Sequence, residues 1–241
     1  MATSTHAHPD RGGVRGRRAS LGITLGAGLA GLAATVGAPA AHAAAPSPLP
    51  LLSQALNGVA RYQVDLTIRG ASTGTITGTV VVVRKDGKNQ AHVTLTTPAG
   101  SGATTTVDAV VAGARVCVKQ AAGQPYQCIT SPTVAAQINL DPSSTFQRAG
   151  VSTHFTPAGT KVVLGKLCTG YAFTLTSTSV RAHGTLYLNA TNGRPREEDV
   201  TTTATTAATA TTPAKTVTAT TTALWSRYDD PTLTIPAVPA S

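Results

Sequence analysis

From Tyr62 to Ile68 the chain alternates strictly, with Tyr62, Val64, Leu66 and Ile68 apolar and Gln63, Asp65 and Thr67 polar between them, until Gly70 closes the run. A period of two is what a strand with one buried face requires, and it excludes a helix over the same residues. The pattern recurs. Ile76–Arg84 and Ala91–Thr97 flank Asp86-Gly87, a pair suited to the positive-φ turn of a two-residue hairpin. Thr104–Val111 and Ala114–Lys119 form a second hairpin around Ala112-Gly113, and the meander continues through Tyr126–Ile129. Strands are expected again at Lys161–Gly165, Gly170–Thr176 and Ala182–Asn189, before a reversal at "ATNGRPRE".

Helical spacing is confined to short pieces. Leu52, Leu56 and Val59 recur with helical period ahead of the first strand. Ser131 can cap a helix beginning at Pro132 that sets Val134, Ala135 and Ile138 on one side and stops at Asp141-Pro142. Phe146 and Val151 belong to a second short helix or a covering loop.

The tract Val200–Thr222, almost all threonine and alanine, admits two readings: a floppy stalk or a pair of strands. Threonine is a good strand former because its branched Cβ fits the pleat. Mucin-like stalks scatter proline through their Ser/Thr, whereas here Pro213-Ala214 falls where a turn would join Val200–Thr206 to Lys215–Leu224. The segment "LWSRYDDPTLTIP" that follows brings Leu224, Trp225 and Tyr228, side chains that favour burial. The strand reading prevails, with a disordered alternative centred on Thr206–Pro213.

The first 43 residues read as an export leader. Arg11, Arg15, Arg17 and Arg18 precede the apolar run Leu21–Val36, and "AHA" offers small residues to a signal peptidase, predicting cleavage after Ala43. Arg17-Arg18 also admits a twin-arginine route. The apolar run is about 16 residues, short of the ~20 that span a bilayer. The remaining chain divides into a short linker, 44–48, and one domain, 49–239, long enough for a sizeable core. The leader carries four of the 19 Lys+Arg and one of the 10 Asp+Glu, so the formal charge falls from +9 to about +6 without it. That charge is dispersed, with no basic run interleaved with aromatics, which argues against a nucleic-acid partner. It permits a peripheral contact with an anionic membrane but marks no site.

Cys117, Cys128 and Cys168 all follow the leader, and none stands where a lipoprotein carries its acylated cysteine, so the expectation is a soluble extracytoplasmic protein. Three thiols allow three single disulfides. Cys117 and Cys128 would face each other across a hairpin turning at Ala122-Gly123; the rival pair is Cys128 with Cys168. Zinc binding is argued against by the absence of a CxxC pair or a nearby pair of histidines.

Signatures of catalysis are missing from the sequence: there is no G-x-S-x-G, H-E-x-x-H or phosphate loop. His92, His154 and His183 are isolated from one another. "REED", Arg196–Asp199, clusters three carboxylates, read as a solvated strand entrance balanced by Arg194 and Arg196, since calcium would want more oxygen ligands around a tight loop. The reading is of a non-enzyme with no cofactor or metal, and the sequence leaves its oligomeric state open.

Three segments carry a family likeness. "GTLYLNATNGRPREE", "GKLCTGYAFTL" and the closing "WSRYDDPTLTIPAVP" resemble the LolA/LppX/LprG superfamily of bacterial lipoprotein and lipid carriers, and the order of elements agrees from Leu49 to Pro239. The resemblance implies an α+β fold: a curved, half-open antiparallel sheet, an incomplete barrel of about ten strands, with short helices covering its concave face. It implies a hydrophobic cavity for a lipid or for the acyl chains of a lipoprotein. The residues expected to line that cavity are Val64, Leu66, Ile68, Val80, Val82, Val93 and Leu95 from the sheet and Leu52, Leu56, Val134 and Ile138 from the helices. In "VVVV", Val80–Val83, alternation is lost and either register could point inward. The resemblance also implies a Cys128–Cys168 bridge tying the helical insertion to the returning sheet. Two other functions share the scaffold: a cavity-free interaction module at the cell envelope, and a lipid-responsive sensor.

Overall fold

A computed structural model describes residues 31–32, 47–70, 74–85, 87–99, 102–119, 123–132, 142–147, 149–206 and 215–238. Helix α1 (Leu49–Asn57) leads into six strands: β1 (Arg61–Gly70), β2 (Gly74–Lys85), β3 (Lys88–Pro98), β4 (Thr104–Ala112), β5 (Arg115–Lys119) and β6 (Gln127–Thr130). After a one-turn helix, α2 (Pro142–Phe146), come β7 (Ser152–Val163), β8 (Lys166–Thr176), β9 (Ser179–Asn189), β10 (Pro195–Thr206) and β11 (Lys215–Ser226). Gly31–Leu32 add a two-residue pairing to Val180 and Ser179 at the start of β9.

These eleven strands form one antiparallel sheet in the order β6-β5-β4-β3-β2-β1-β11-β10-β9-β8-β7. Two meanders, β1 to β6 and β7 to β11, are therefore joined by a single non-local pairing, β1 with β11, in which Val64 lies opposite Trp225 and Ile68 opposite Thr221. The sheet is not closed, and β6 and β7 are its edges.

The threonine tract is sheet wherever it is described. Thr201, Thr203 and Thr205 on β10 stand opposite Thr220, Thr218 and Thr216 on β11. Their hydroxyls approach to 3.4, 3.3 and 2.8 Å. Such cross-strand pairs contribute about 0.2–1 kcal/mol each, and β-branched side chains hold the pleat between them.

Helix α1 starts beside the fully buried Pro48, whose carbonyl accepts from the Leu52 amide at 2.9 Å, and gives way at Gly58. Leu52, 0% exposed, and Leu56 hold the helix to one face of the sheet. Two clusters pack there. One joins Val59, Tyr62, Val64, Val82, Ala91, Val93, Leu95, Ala109, Ala223 and Trp225. The other joins Leu52, Phe146, Phe155, Phe173, Leu175, Ala182, Leu186 and Leu188, and Leu56 touches both. Gly184 makes the second cluster possible: a Cβ there would stand 2.9 Å from the Phe173 ring and 2.1 Å from the Asp199 carbonyl oxygen.

Three expectations need correction. The strand expected over Lys161–Gly165 is the end of a much longer one, since β7 begins at Ser152. Its first half carries no clear period of two because Pro157 and a bulge between Pro157 and Thr160 break the alternation, an arrangement that suits an edge strand. Leu164 and Gly165 form the turn, with φ of 48° and 71°, the double positive φ that a two-residue hairpin needs. Third, the disulfide joins Cys117 to Cys128, register partners on β5 and β6. Cys168 is free and buried on β8, nine strand positions from β6 along the sheet, on the order of 40 Å at ~4.8 Å per strand. The Cys128–Cys168 bridge implied by the resemblance is therefore not formed. Beyond Pro132 the expected helix, with Val134 and Ile138, lies outside the described residues.

Candidate functional site

Residues opposite each other on an antiparallel ladder share a face, so the register fixes direction across the whole sheet. One row on the α1 side runs Tyr171, Leu186, Glu198, Ala223, Leu66, Gly78, Leu95 and Val107 from β8 to β4. The next holds Trp225, Val64, Val80, Val93, Ala109 and Val118. The ambiguous "VVVV" is thereby resolved, with Val80 and Val82 on the α1 side and Val81 and Val83 on the other.

All seven strand positions expected to line a cavity lie on this face, but they divide by exposure. Leu52, Val64, Val82, Val93 and Leu95 are at most 7% exposed and belong to the packed clusters. Leu56, Leu66, Ile68 and Val80 are only half-buried, as are Ile76 and Val118. An apolar surface therefore continues from the packed clusters along β1 and β2, away from α1.

Two clefts flank α1. The larger, about 420 Å³, lies between Leu51, Gln54 and Ala55 of the helix, Thr169, Tyr171 and Leu188 of β8 and β9, and the turn Asn189–Gly193. The smaller, about 230 Å³, is lined by Leu56, Val59, Tyr62 and Val82 with Arg84, Asn89, Ser143 and Gln147 at its rim. Of the described residues expected to line the cavity, Leu56 and Val82 reach the smaller cleft and none reaches the larger. The alternation of Thr169, Tyr171 and Phe173 placed this face of β8 within reach of sequence reasoning; the approach of α1 to the turn after β9 did not show. That turn is held by the Asn189 side chain, whose Oδ1 accepts from the Thr191 and Asn192 amides at 2.8 and 3.3 Å.

The acidic run "REED" is not a solvated entrance. Alternation sends Glu197 and Glu198 to opposite faces. Glu197, 8% exposed, accepts from Lys161 Nζ at 2.5 Å on the far side, and that hydrogen bond holds the Lys161 ammonium above its usual range. Glu198 lies on the α1 side between Leu186 and Ala223, where burial, with Asp199 adding to it, pushes its carboxyl up to about 7. Arg196, at a bulge between β9 and β10, stacks over the Tyr228 ring at 5.1 Å; its Nε is the buried side-chain polar atom left without a hydrogen bond among the described residues. Arg194 covers the same ring at 5.1 Å and pairs with Asp229 at 3.0 Å. Asp229 in turn accepts from the Ala60 amide at 2.8 Å, which ties the C-terminal segment to the start of β1.

The far face carries a second polar group that the sequence left scattered. Asp108 accepts from Tyr126 at 2.7 Å and pairs with His92 at 2.9 Å and Lys119 at 3.0 Å. Burial raises its carboxyl, but hydrogen bonds from Tyr126, Lys119 and His92 outweigh that and hold it below the usual value; burial and Asp108 push the Tyr126 phenol up to about 12. The group staples β3, β4 and β5 on the side away from both clefts. Among the described residues no group of three or more His, Cys, Asp or Glu is placed to hold a metal ion, and no helix is long and apolar enough to cross a membrane.

No family model matches the chain, and no curated protein matches it. Among solved structures, a LolA superfamily protein from Nitrosomonas europaea aligns over 76% of this chain and 93% of its own, at 10% identity and a TM-score of 0.26. MucB in complex with MucA(peri) aligns over 79% of this chain at 16% identity and a TM-score of 0.29, and this chain spans 58% of that one.

Proposed function

We propose that the protein is an exported carrier that holds the acyl chains of a lipid or lipoprotein against the face of the sheet bearing α1. The observation that carries this reading is the half-buried aliphatic surface of Leu56, Leu66, Ile68, Ile76 and Val80, continuous with the packed clusters. A folded chain gains by covering such a surface, and an acyl chain is a matching cover: burial contributes about 0.8 kcal/mol per methylene, so a dozen give roughly 10 before ordering costs. The larger cleft, at about 420 Å³, falls within the ~300–1,000 Å³ usual for small-ligand sites. Its apolar Leu51, Ala55 and Leu188 beside polar Gln54 and Asn192 suit an amphiphile. Export rests on the leader 1–43, and the Cys117–Cys128 disulfide fits an oxidising compartment.

Native mass spectrometry of the exported protein, followed by solvent extraction, tests the reading. Adducts of several hundred daltons that dissociate as acyl lipids are expected, and Leu66→Trp should abolish them while the fold persists. A bare mass that stays unchanged after incubation with phospholipid and diacylglycerol overturns it. A second reading, a cavity-free interaction module at the envelope, is favoured by the close packing of Val64, Val82, Val93 and Leu95, and that bare mass would move the assignment to it.

A further inference from the structure

The β7–β8 hairpin ends in an aliphatic tip. Val162, Leu164 and Leu167 are 65, 56 and 57% exposed, three of the six large hydrophobic side chains that stand out in solvent among the described residues. Nothing in the packing of the hairpin needs them there, because Val163 and Cys168 already anchor it at 4 and 0% exposure. Val162 and Leu167 are register partners. Leu167 lies two residues before Thr169 on one strand and so shares its face. Thr169 lines the larger cleft, and the Leu167 carbonyl accepts from the Ala190 amide, in the turn that walls the cleft, at 3.0 Å. On the opposite wall Leu51 of α1 is 49% exposed. Leu51 thus lines the opening, and the aliphatic tip extends the strand whose Thr169 forms the facing wall.

The hairpin itself carries charge of one sign. From Pro142 to Arg196 the chain contains no Asp or Glu, only Lys and Arg beside two histidines. Lys161 and Lys166 flank the tip itself and are both exposed, and of the two Lys161 is already paired with Glu197 on the far side of the sheet. Aliphatic side chains at a projecting turn, bracketed by lysines, match the boundary of an anionic bilayer, where methyl groups enter the acyl region and ammonium groups stay among phosphates. A second copy of the chain is a poorer match. β7 is an edge strand, but Pro157 removes a donor from that edge and the bulge twists it away from regular pairing.

We propose that the β7–β8 hairpin tip, with Leu51 opposite, is a lip that seats the mouth of the larger cleft on an anionic lipid surface. Its purpose rests on the carrier reading, since a carrier must present its opening to the membrane from which it loads, but its test does not. The exported protein is sedimented with vesicles of phosphatidylglycerol and phosphatidylcholine, and with phosphatidylcholine alone, at low and high salt. Binding is expected to the anionic vesicles only and to weaken with salt. Leu164→Asp with Leu167→Asp should lower it about tenfold or more, and Lys166→Glu by a smaller factor, with circular dichroism unchanged because all three side chains are exposed. Unchanged binding by the double variant overturns the lip, as does equal binding to neutral vesicles. A dimer in solution that the double variant dissolves, with no vesicle binding, overturns it in favour of self-association. A fluorescent fatty acid titrated without vesicles separates the two readings: vesicle binding with no fatty-acid binding sustains the lip and removes the carrier.

Discussion

The two arms of the sheet fill the same face with different side chains. In the arm β7–β10, Phe155 and Phe173 meet Phe146 of α2, with ring centroids 5.0, 5.3 and 6.2 Å apart, and close the space under α1. In the arm β1–β5 Tyr62 is the one ring in the cluster, the other positions are aliphatic, and the packing thins outward until Leu66, Ile68 and Val80 are half-buried. Aromatic rings bury much area from few positions, so one arm can be a finished core. Short aliphatics on a broad sheet cover it only in part. The phenylalanine arm anchors the fold, and the aliphatic arm is the surface on which a ligand has something to gain.

If that division holds, the arms should respond unequally to damage. The largest effect is expected from Phe173→Ala, which leaves a hole among three rings and should cost about 3–5 kcal/mol in denaturant unfolding; Val80→Ala on the half-buried surface should cost about 1 kcal/mol or less. Equal losses would erase the distinction. Next, Cys117→Ser with Cys128→Ser frees the short edge strand β6, and a loop this size contributes roughly 2–4 kcal/mol. Hydrogen exchange should quicken on β5 and β6 and leave β8 and β9 protected; loss spread over both arms would mean that the aliphatic arm, not the aromatic one, holds the sheet together.

Glu198 sharpens the comparison by pH, because it lies on β10, the strand of the phenylalanine arm next to β11. Its carboxyl is raised from 4.5 to about 7, so the native chain keeps a proton that the unfolded chain has released. Stability from this group is therefore fullest below about pH 4.5 and is lost as pH rises through 7. Glu198→Gln should be neutral at pH 4 and stabilise by roughly 1–3 kcal/mol at pH 8. A wild-type-minus-variant difference that is flat from pH 4 to 8 would place the carboxylate in bulk solvent. The smallest effect is expected from Thr203→Val, whose cross-strand hydroxyl contact at 3.3 Å is exposed: within about 0.5 kcal/mol by thermal unfolding.

Most strands were legible because alternation is a local pattern and the buried and open faces of a sheet impose it residue by residue. Tyr62–Ile68 is the clearest case. The start of β7 was not, because Pro157 and its bulge shift the period midway. The acidic run shows the limit of counting charges: Glu197 and Glu198 are neighbours in sequence, yet the pleat sends one to Lys161 and the other among Leu186 and Ala223. The larger cleft was illegible for a related reason. Its walls come from α1, from β8 and β9, and from the turn after β9, and no short pattern records that they approach.

By itself the sequence determined most of the hairpins, the β7–β8 hairpin excepted, the polarity of most strands' two sides and the strand-forming nature of the threonine tract, since turn residues, period and β-branching act within a few positions. Only the tertiary structure decided that β1 lies beside β11, that Cys128 meets Cys117 rather than Cys168, and that His92 finds Asp108. Each of these joins positions that more than one local pattern would allow, and which of them meet is set by how the faces of all eleven strands are buried together.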